Sequence, residues 1–345
     1  MSPRALKLLT ALAMLAALAG VVVIAGWTQL SAYMNRPGPT AEQVTVVLPR
    51  GAGVKQIAAR LAESRVIRQP LMFRLAVRVL GRDRALKAGE YAFPAHVTPR
   101  GVIGMLESGE TVARRLTVAE GLTVAEIFRM LEEADGLSGG LPEPPPEGSL
   151  LPETYFYAYG DSRAGIVKRM QQSMREALDE LWAEREDDLP IASPEEAVVL
   201  ASIVDKETAL ESEREMVAAV FINRLRRNMR LQSDPTVIYG LTNGDGPLQR
   251  ELTRRDWEHD SAHNTYRIAG LPPTPIANPG RAAIEAVLKP ADVDYLYFVA
   301  DGTGGHAFAR TLQEHNQNVA TWRRIRSGEE PRPVAPPPEK PQPAG

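Results

Sequence analysis

The 345-residue sequence contains no cysteine. That excludes disulfides, thiolate zinc sites and a nucleophilic thiol together. It also lacks an excess of positive charge: 40 Lys and Arg stand against 43 Asp and Glu, a net −3. A nucleic-acid surface needs the opposite balance. The string Gly136-Leu-Ser-Gly-Gly140 matches G-x-S-x-G, but it lies in the Pro- and Gly-rich stretch after an amphipathic segment and not between a strand and a helix, and no Walker phosphate loop is present, so α/β-hydrolase and P-loop nucleotide chemistry have no foothold. His259 and His263 stand at i, i+4, but no Glu follows His259 and no third ligand is apparent. Neither a metal nor any other cofactor is expected.

What is present begins with a long apolar run. Arg4 and Lys7 precede residues 8–27, which carry no charge and Thr10 as their only polar side chain. Twenty helical residues at ~1.5 Å each span ~30 Å, one bilayer core. Trp27 and Tyr33 stand where interfacial aromatics belong, and the basic flank stays in the cytoplasm. The expectation is a cytoplasmic tail over 1–7, a transmembrane helix over 8–28, and the rest periplasmic. Ala17-Leu18-Ala19 offers a cleavage-like site, but the apolar run continues to Trp27, which favours an uncleaved anchor. Beyond Arg36 the chain holds 37 basic and 43 acidic residues, so by net charge that portion is not a membrane-surface binder.

An internal echo follows. Residues 47–61 and 117–131 share the frame G-x-x-V-x-x-I-x-x-x-L, with Gly51, Val54, Ile57 and Leu61 matching Gly121, Val124, Ile127 and Leu131. Each copy reads as strand, glycine turn and amphipathic helix. Such units occur in carbohydrate-binding modules and equally as plain packing units. Residues 137–149, rich in Pro and Gly, form a candidate seam, and long helices are expected over 162–186 and 194–227. Seven prolines from Glu329 to the end mark a disordered or extended tail. The fold class is α+β.

Within LASIVDKETAL (200–210), helical geometry at 100° per residue places Glu207 within ~20° of Leu200 and ~40° of Ile203, inside the apolar stripe. Asp205, ~160° from Glu207, and Lys206 are expected to reach solvent. Glu207 then has three readings: pairing with a buried cation such as Arg224 or Arg230, emerging at the stripe's edge, or lining a pocket where desolvation keeps it protonated. The last suits a general acid in glycoside cleavage. Downstream, Gln232, Ser233, Asp234, Thr236 and Tyr239, then Ser261, Asn264 and Tyr266, concentrate hydrogen-bonding side chains in short turns. They read either as ordinary surface loop or as a groove for a polar polymer such as a glycan.

SIVDKET (202–208), VFINRL (220–225), MRLQSDPTVIYG (229–240), NTYRIAGLPPTPIANPG (264–280), YLYFVADGTGGHAFARTLQEHN (295–316) and EGSLLPETY (147–155) closely resemble the endolytic murein transglycosylase family, the YceG-like proteins. The likeness runs from about residue 40 to 326. It implies a LysM-like subdomain over 40–112, which includes the LKAGEY segment, and a catalytic domain over 113–326. It further implies a single-pass protein of the bacterial inner membrane that cuts peptidoglycan glycan strands between N-acetylmuramic acid and N-acetylglucosamine, leaving 1,6-anhydro ends and terminating nascent strands near the synthases. The family's catalytic acid falls on Glu207. Gln232, Ser233, Asp234, Thr236, Tyr239, Asn264 and Tyr266 are then the substrate-groove candidates. Two departures stand out: Asp205 as the first motif acid, and His263 where a Tyr is usual. The rival readings are a non-catalytic wall-binding anchor and a true muramidase.

Overall fold

The computed structural model describes residues 3–327; the proline-rich tail from Glu329 lies outside the described residues. The described residues form two compact units, residues 3–116 with 135–139 and 156–162, and residues 117–134 with 140–155 and 163–327.

The first unit begins with α1 (Pro3–Asn35). Its apolar run is bare, with Leu12, Leu15, Val22 and Ile24 all more than half exposed. The helix does not stop at residue 28. It continues without a break, and Leu30 and Met34 are buried in the unit's own core. A two-stranded antiparallel sheet pairs β1 (Val44–Leu48) with β2 (Gly89–Phe93), Val44 opposite Phe93 and Leu48 opposite Gly89. Between these strands come α2 (Val54–Glu63) and α3 (Pro70–Val79), and α4 (Pro99–Ser108) follows. Leu48, Leu61, Phe73, Tyr91, Phe93 and Leu106 fill the centre. Gly51 takes a left-handed φ of 79° ahead of α2 and Gly121 one of 74° ahead of α5 (Val124–Glu133), as a strand–turn–helix frame needs.

The chain passes between the units within β3 (Arg114–Thr117) and β4 (Thr154–Tyr157), which pair with each other. The second unit is built around α7 (Pro194–Glu207), enclosed by α6 (Arg163–Ala183), α8 (Glu211–Arg226), α9 (Asp234–Thr242) and α10 (Arg281–Leu288). Every residue from Ala197 to Val204 is buried, so over that stretch α7 is a central helix packed on every side. Ser193 caps it by accepting a hydrogen bond from the Glu196 amide, and Pro194 occupies its first position. The single helix expected over 194–227 is in fact two. Thr208 turns extended at φ −141° and ends α7, while Glu211 and Glu213 open α8 with acidic residues in its first turn. The break leaves Glu207 as the last residue of a buried helix. An antiparallel hairpin, β5 (Tyr297–Ala300) and β6 (His306–Ala309), packs with α11 (Leu312–Arg326) to close the unit.

Candidate active site

Glu207 enters a cavity of about 360 Å3 lined by Arg224, Gln232, Asp234, Tyr266, Tyr297 and His315, among others. Its Oε1 accepts a 2.6 Å hydrogen bond from the Ser233 hydroxyl. Burial pushes its pKa up to about 7, and the neighbouring Asp234 charge pushes the same way. The Ser233 hydroxyl and the more distant His306 and Arg224 pull against them. The negative end of the α7 dipole also disfavours an ionised carboxylate there. The group is therefore an acid that holds its proton near neutrality without an ion-pair partner at contact distance.

The expected cation, Arg224, is present but committed elsewhere. Its guanidinium donates to the Leu296 carbonyl at 2.7 Å and the Leu231 carbonyl at 2.5 Å, and lies 5.3 Å from the centre of the Tyr297 ring. It ties α8 to the loop before α9 and to the start of β5, and reaches Glu207 only through space. Arg230 donates to the Tyr266 carbonyl at 2.9 Å.

Ser233 owes its position to backbone geometry. Gln232, just before it, adopts a left-handed φ of 54°, which costs a non-glycine residue about 1 kcal/mol. The Ser233 amide donates to Thr265 Oγ1 at 2.9 Å and the Gln232 amide to the Thr265 carbonyl at 3.3 Å, and these bonds hold the turn. Asp234 accepts from Tyr266 Oη at 2.7 Å and Trp257 Nε1 at 2.9 Å through the same Oδ1. The polar turn and the loop after it are thus stitched together under Glu207.

Of the groove candidates, Gln232, Asp234 and Tyr266 line the Glu207 cavity and Ser233 touches Glu207 itself. Thr236 and Asn264 are fully buried. Thr236 bonds to the Ser233 carbonyl and Thr265 Oγ1, while the Asn264 amide donates to the Trp257 and His259 carbonyls. Tyr239 opens on a different, largely apolar cavity of about 500 Å3 beside Glu147, Pro273 and Thr274. His263, in the place of the usual Tyr, packs its ring 4.8 Å from that of Tyr239 and shares a 2.8 Å hydrogen bond with Thr274.

Asp205 is a correction: its side chain is only 2% exposed. Because α7 is central, the face opposite Glu207 meets a second layer instead of water. Asp205 accepts from the Gly280 amide at 3.1 Å at the start of α10, with Arg214 of α8 at 3.9 Å. Burial raises its pKa to about 6. A Cβ at Gly280 would overlap the Glu120 carboxyl, so a side chain there requires Glu120 to move. Lys206 does remain exposed, and its Nζ donates to the Gly121 carbonyl.

Sequence reasoning missed Tyr297, Phe298, Leu312 and His315 in the cavity wall. The Tyr297 and His315 rings stack at 5.2 Å, and the buried His315 Nδ1 has no hydrogen-bond partner among the described residues. Glu147 was also missed as a structural hub: its Oε1 accepts from the Val124 amide at 2.6 Å and Asn278 Nδ2 at 3.1 Å. Its signal in the sequence was its place at the head of EGSLLPETY (147–155), one of the segments that carry the family resemblance.

Residues 46–321 match the model of the YceG-like family. A Bacillus subtilis (strain 168) protein named endolytic murein transglycosylase is 30% identical over 306 residues, covering 79% of this chain and 83% of the relative. A Streptococcus pneumoniae (D39) protein of the same name is 27% identical over 322 residues, 80% of this chain, and this chain spans 58% of that relative's length. A crystal structure of a YceG-like protein from Listeria monocytogenes shares 30% identity and covers 81% of this chain and 99% of that one, at a TM-score of 0.47.

Proposed function

The chain belongs to the YceG-like family, and on that premise we propose that it is a membrane-anchored endolytic lytic transglycosylase of peptidoglycan with Glu207 as its acid. The observation that carries the assignment is the state of Glu207: a carboxyl with a pKa of about 7 at the end of a buried helix, open to a polar cavity. Protonated, it donates to the glycosidic oxygen as the bond to the muramic C1 breaks and positive charge develops at C1. The resulting carboxylate then takes the proton of the sugar's own C6 hydroxyl, and that oxygen closes onto C1 to give the 1,6-anhydro end. Water is not consumed. One carboxyl thus serves as acid and base in turn.

Ser233 holds the Glu207 carboxyl in orientation. Asp234, fixed by Tyr266 and Trp257, contributes negative charge that keeps the acid protonated and stabilises the oxocarbenium-like centre. Gln232, Tyr266, Tyr297 and His315 offer hydrogen bonds and ring faces to sugar. Thr236 and Asn264 brace the turn that carries Ser233, and Tyr239 stands apart from the reaction. The bare apolar stretch of α1 anchors the chain with its N-terminus in the cytoplasm. Residues 40–112 are read as LysM-like.

The test uses the full chain in nanodiscs, because cutting at residue 36 would remove Leu30 and Met34 from the first unit's core. Wild type and Glu207→Gln are incubated with peptidoglycan sacculi and the fragments weighed by mass spectrometry. Anhydro-muropeptides from wild type alone are expected. Reducing ends in their place would make the protein a muramidase, and sacculus binding with no cleavage would make it an anchor.

A further inference from the structure

The net acidity of the chain conceals an uneven distribution. Residues 54–84, which span α2 and α3, carry eight basic side chains against two acidic ones, Glu63 and Asp83, in a protein whose net charge is −3. On α3 the buried face is Phe73, Ala76 and Val77. At 100° per residue, Leu71, Leu75 and Val79 form a second apolar stripe within ~80° on the opposite side. That stripe faces solvent: Leu71 is 73% exposed, Leu75 47% and Val79 50%. Arg74 and Arg78 border it along one side, and with Lys55 and Asp83 they edge a cleft of about 310 Å3 floored by Val54, Leu71 and Leu75. Among the described residues, Lys55, Arg74 and Arg78 have no salt-bridge partner. An exposed apolar helix face bordered along one side by arginines has the composition of an interfacial membrane helix.

The position of α3 supplies the occupant. The helix belongs to the same unit as α1, which is continuous from its apolar run into that unit's core through Leu30 and Met34. Tyr33 of α1 donates a hydrogen bond to the carbonyl of Gln69, the residue that caps α3. From Trp27 to Tyr33 the helix rises only ~9 Å. The start of α3 is therefore tied within about two helical turns of the end of the apolar run.

We propose that α3 docks on the bilayer that α1 crosses, with Leu71, Leu75 and Val79 in the headgroup–acyl boundary and Lys55, Arg74 and Arg78 on the phosphates of anionic phospholipids. The proposal rests on α1 spanning a membrane. Docking at a second point removes the rotational freedom a single helix leaves, so the first unit is held flat on the membrane instead of swinging on a hinge. Each basic side chain near an anionic surface strengthens such binding.

The absence of cysteine makes the test direct. The full chain is reconstituted in vesicles of phosphatidylglycerol and phosphatidylcholine with a single fluorophore at Leu75→Cys, at Leu71→Cys, or at Leu18→Cys within the apolar run. Nitroxide-bearing lipid should remove most of the emission at 75 and 71, as it does at 18, while aqueous iodide has little effect. Adding Arg74→Glu and Arg78→Glu should restore iodide access at 75 and leave position 18 unchanged. Iodide quenching with no lipid quenching at both 75 and 71, while 18 is quenched by lipid, would overturn docking and leave the anchor standing. Absence of lipid quenching at 18 would remove the anchor and docking with it. Protection from iodide that depends on protein density or on added sacculi, without lipid quenching, would overturn the proposal in favour of a second copy or of glycan.

Discussion

The last turn of α7 carries two acids two residues apart, in two different surroundings. Asp205 and Glu207 are both withdrawn from water, and in both burial is the largest cause of a raised pKa, to about 6 and about 7. Asp205 meets a backbone amide and an arginine, in a layer where α8 and α10 close over it. Glu207 meets one hydroxyl and an open cavity. Burial therefore does not distinguish a reactive acid from a structural one. The difference lies in whether a substrate can reach the carboxyl.

That contrast breaks most sharply under Glu207→Gln. Loss of a positioned general acid typically costs 10²–10⁴-fold, and since the proposed mechanism uses this carboxyl as the base as well, cleavage of sacculi should fall by at least about 10³-fold. The fold should survive. The native state binds the Glu207 proton that an unfolded chain releases near the ordinary 4.5, so this contribution to stability is complete below pH 4.5 and is lost as pH rises through about 7. At pH 8 the Gln variant should melt at or above the temperature of wild type, as calorimetry would show. A marked drop in melting temperature there would mean that Glu207 is a structural acid like Asp205.

Asp205→Ala should invert the pattern. Leaving the Gly280 amide unsatisfied costs about 1–3 kcal/mol, read as a lower denaturant midpoint, while Arg214 keeps its 3.0 Å bridge to Glu120. The residual activity per folded molecule should keep the wild-type pH profile. Asp205→Asn, which can still accept from Gly280, should recover most of the loss.

Ser233→Ala tests how the reactive acid is tuned. The Ser233 bond lowers the Glu207 pKa against burial, so its removal should move the alkaline fall-off of kcat to higher pH while lowering the maximum about tenfold, a loss near 1.4 kcal/mol. An unshifted pH profile would detach Ser233 from Glu207. Smallest of all, Tyr266→Phe removes one bond to Asp234 and should cost about 0.5–1.5 kcal/mol, whereas Tyr239→Phe, which faces the other cavity, should leave kcat unchanged.

Several parts of this architecture were legible in advance. The inward aim of Glu207 followed from its place among Leu200, Ile203 and Val204, and the glycine turns at Gly51 and Gly121 from the repeated frame. The helix break after Glu207 was not, because residues 209–227 are as helix-compatible as those before them. Asp205 was misplaced for a related reason: a wheel shows one apolar stripe, whereas a central helix is packed on every side. Thr236, Tyr239 and Asn264 looked equivalent to Ser233 in sequence, since hydrogen-bonding capacity says nothing about whether the partner is sugar or the protein's own backbone.

The motifs of the sequence carried the family resemblance, and the sequence by itself determined the apolar span, the absence of thiol chemistry and the inward aim of Glu207. The last three depend on composition and on helical period, which are local properties of the chain. Only the tertiary structure decided that Arg224 braces carbonyls instead of pairing with Glu207, that Tyr297 and His315 join the cavity from some 90 to 110 residues away, and that α1 runs on into the first unit. Those outcomes turn on which surfaces meet, and contacts between distant segments leave no periodic trace in a single chain.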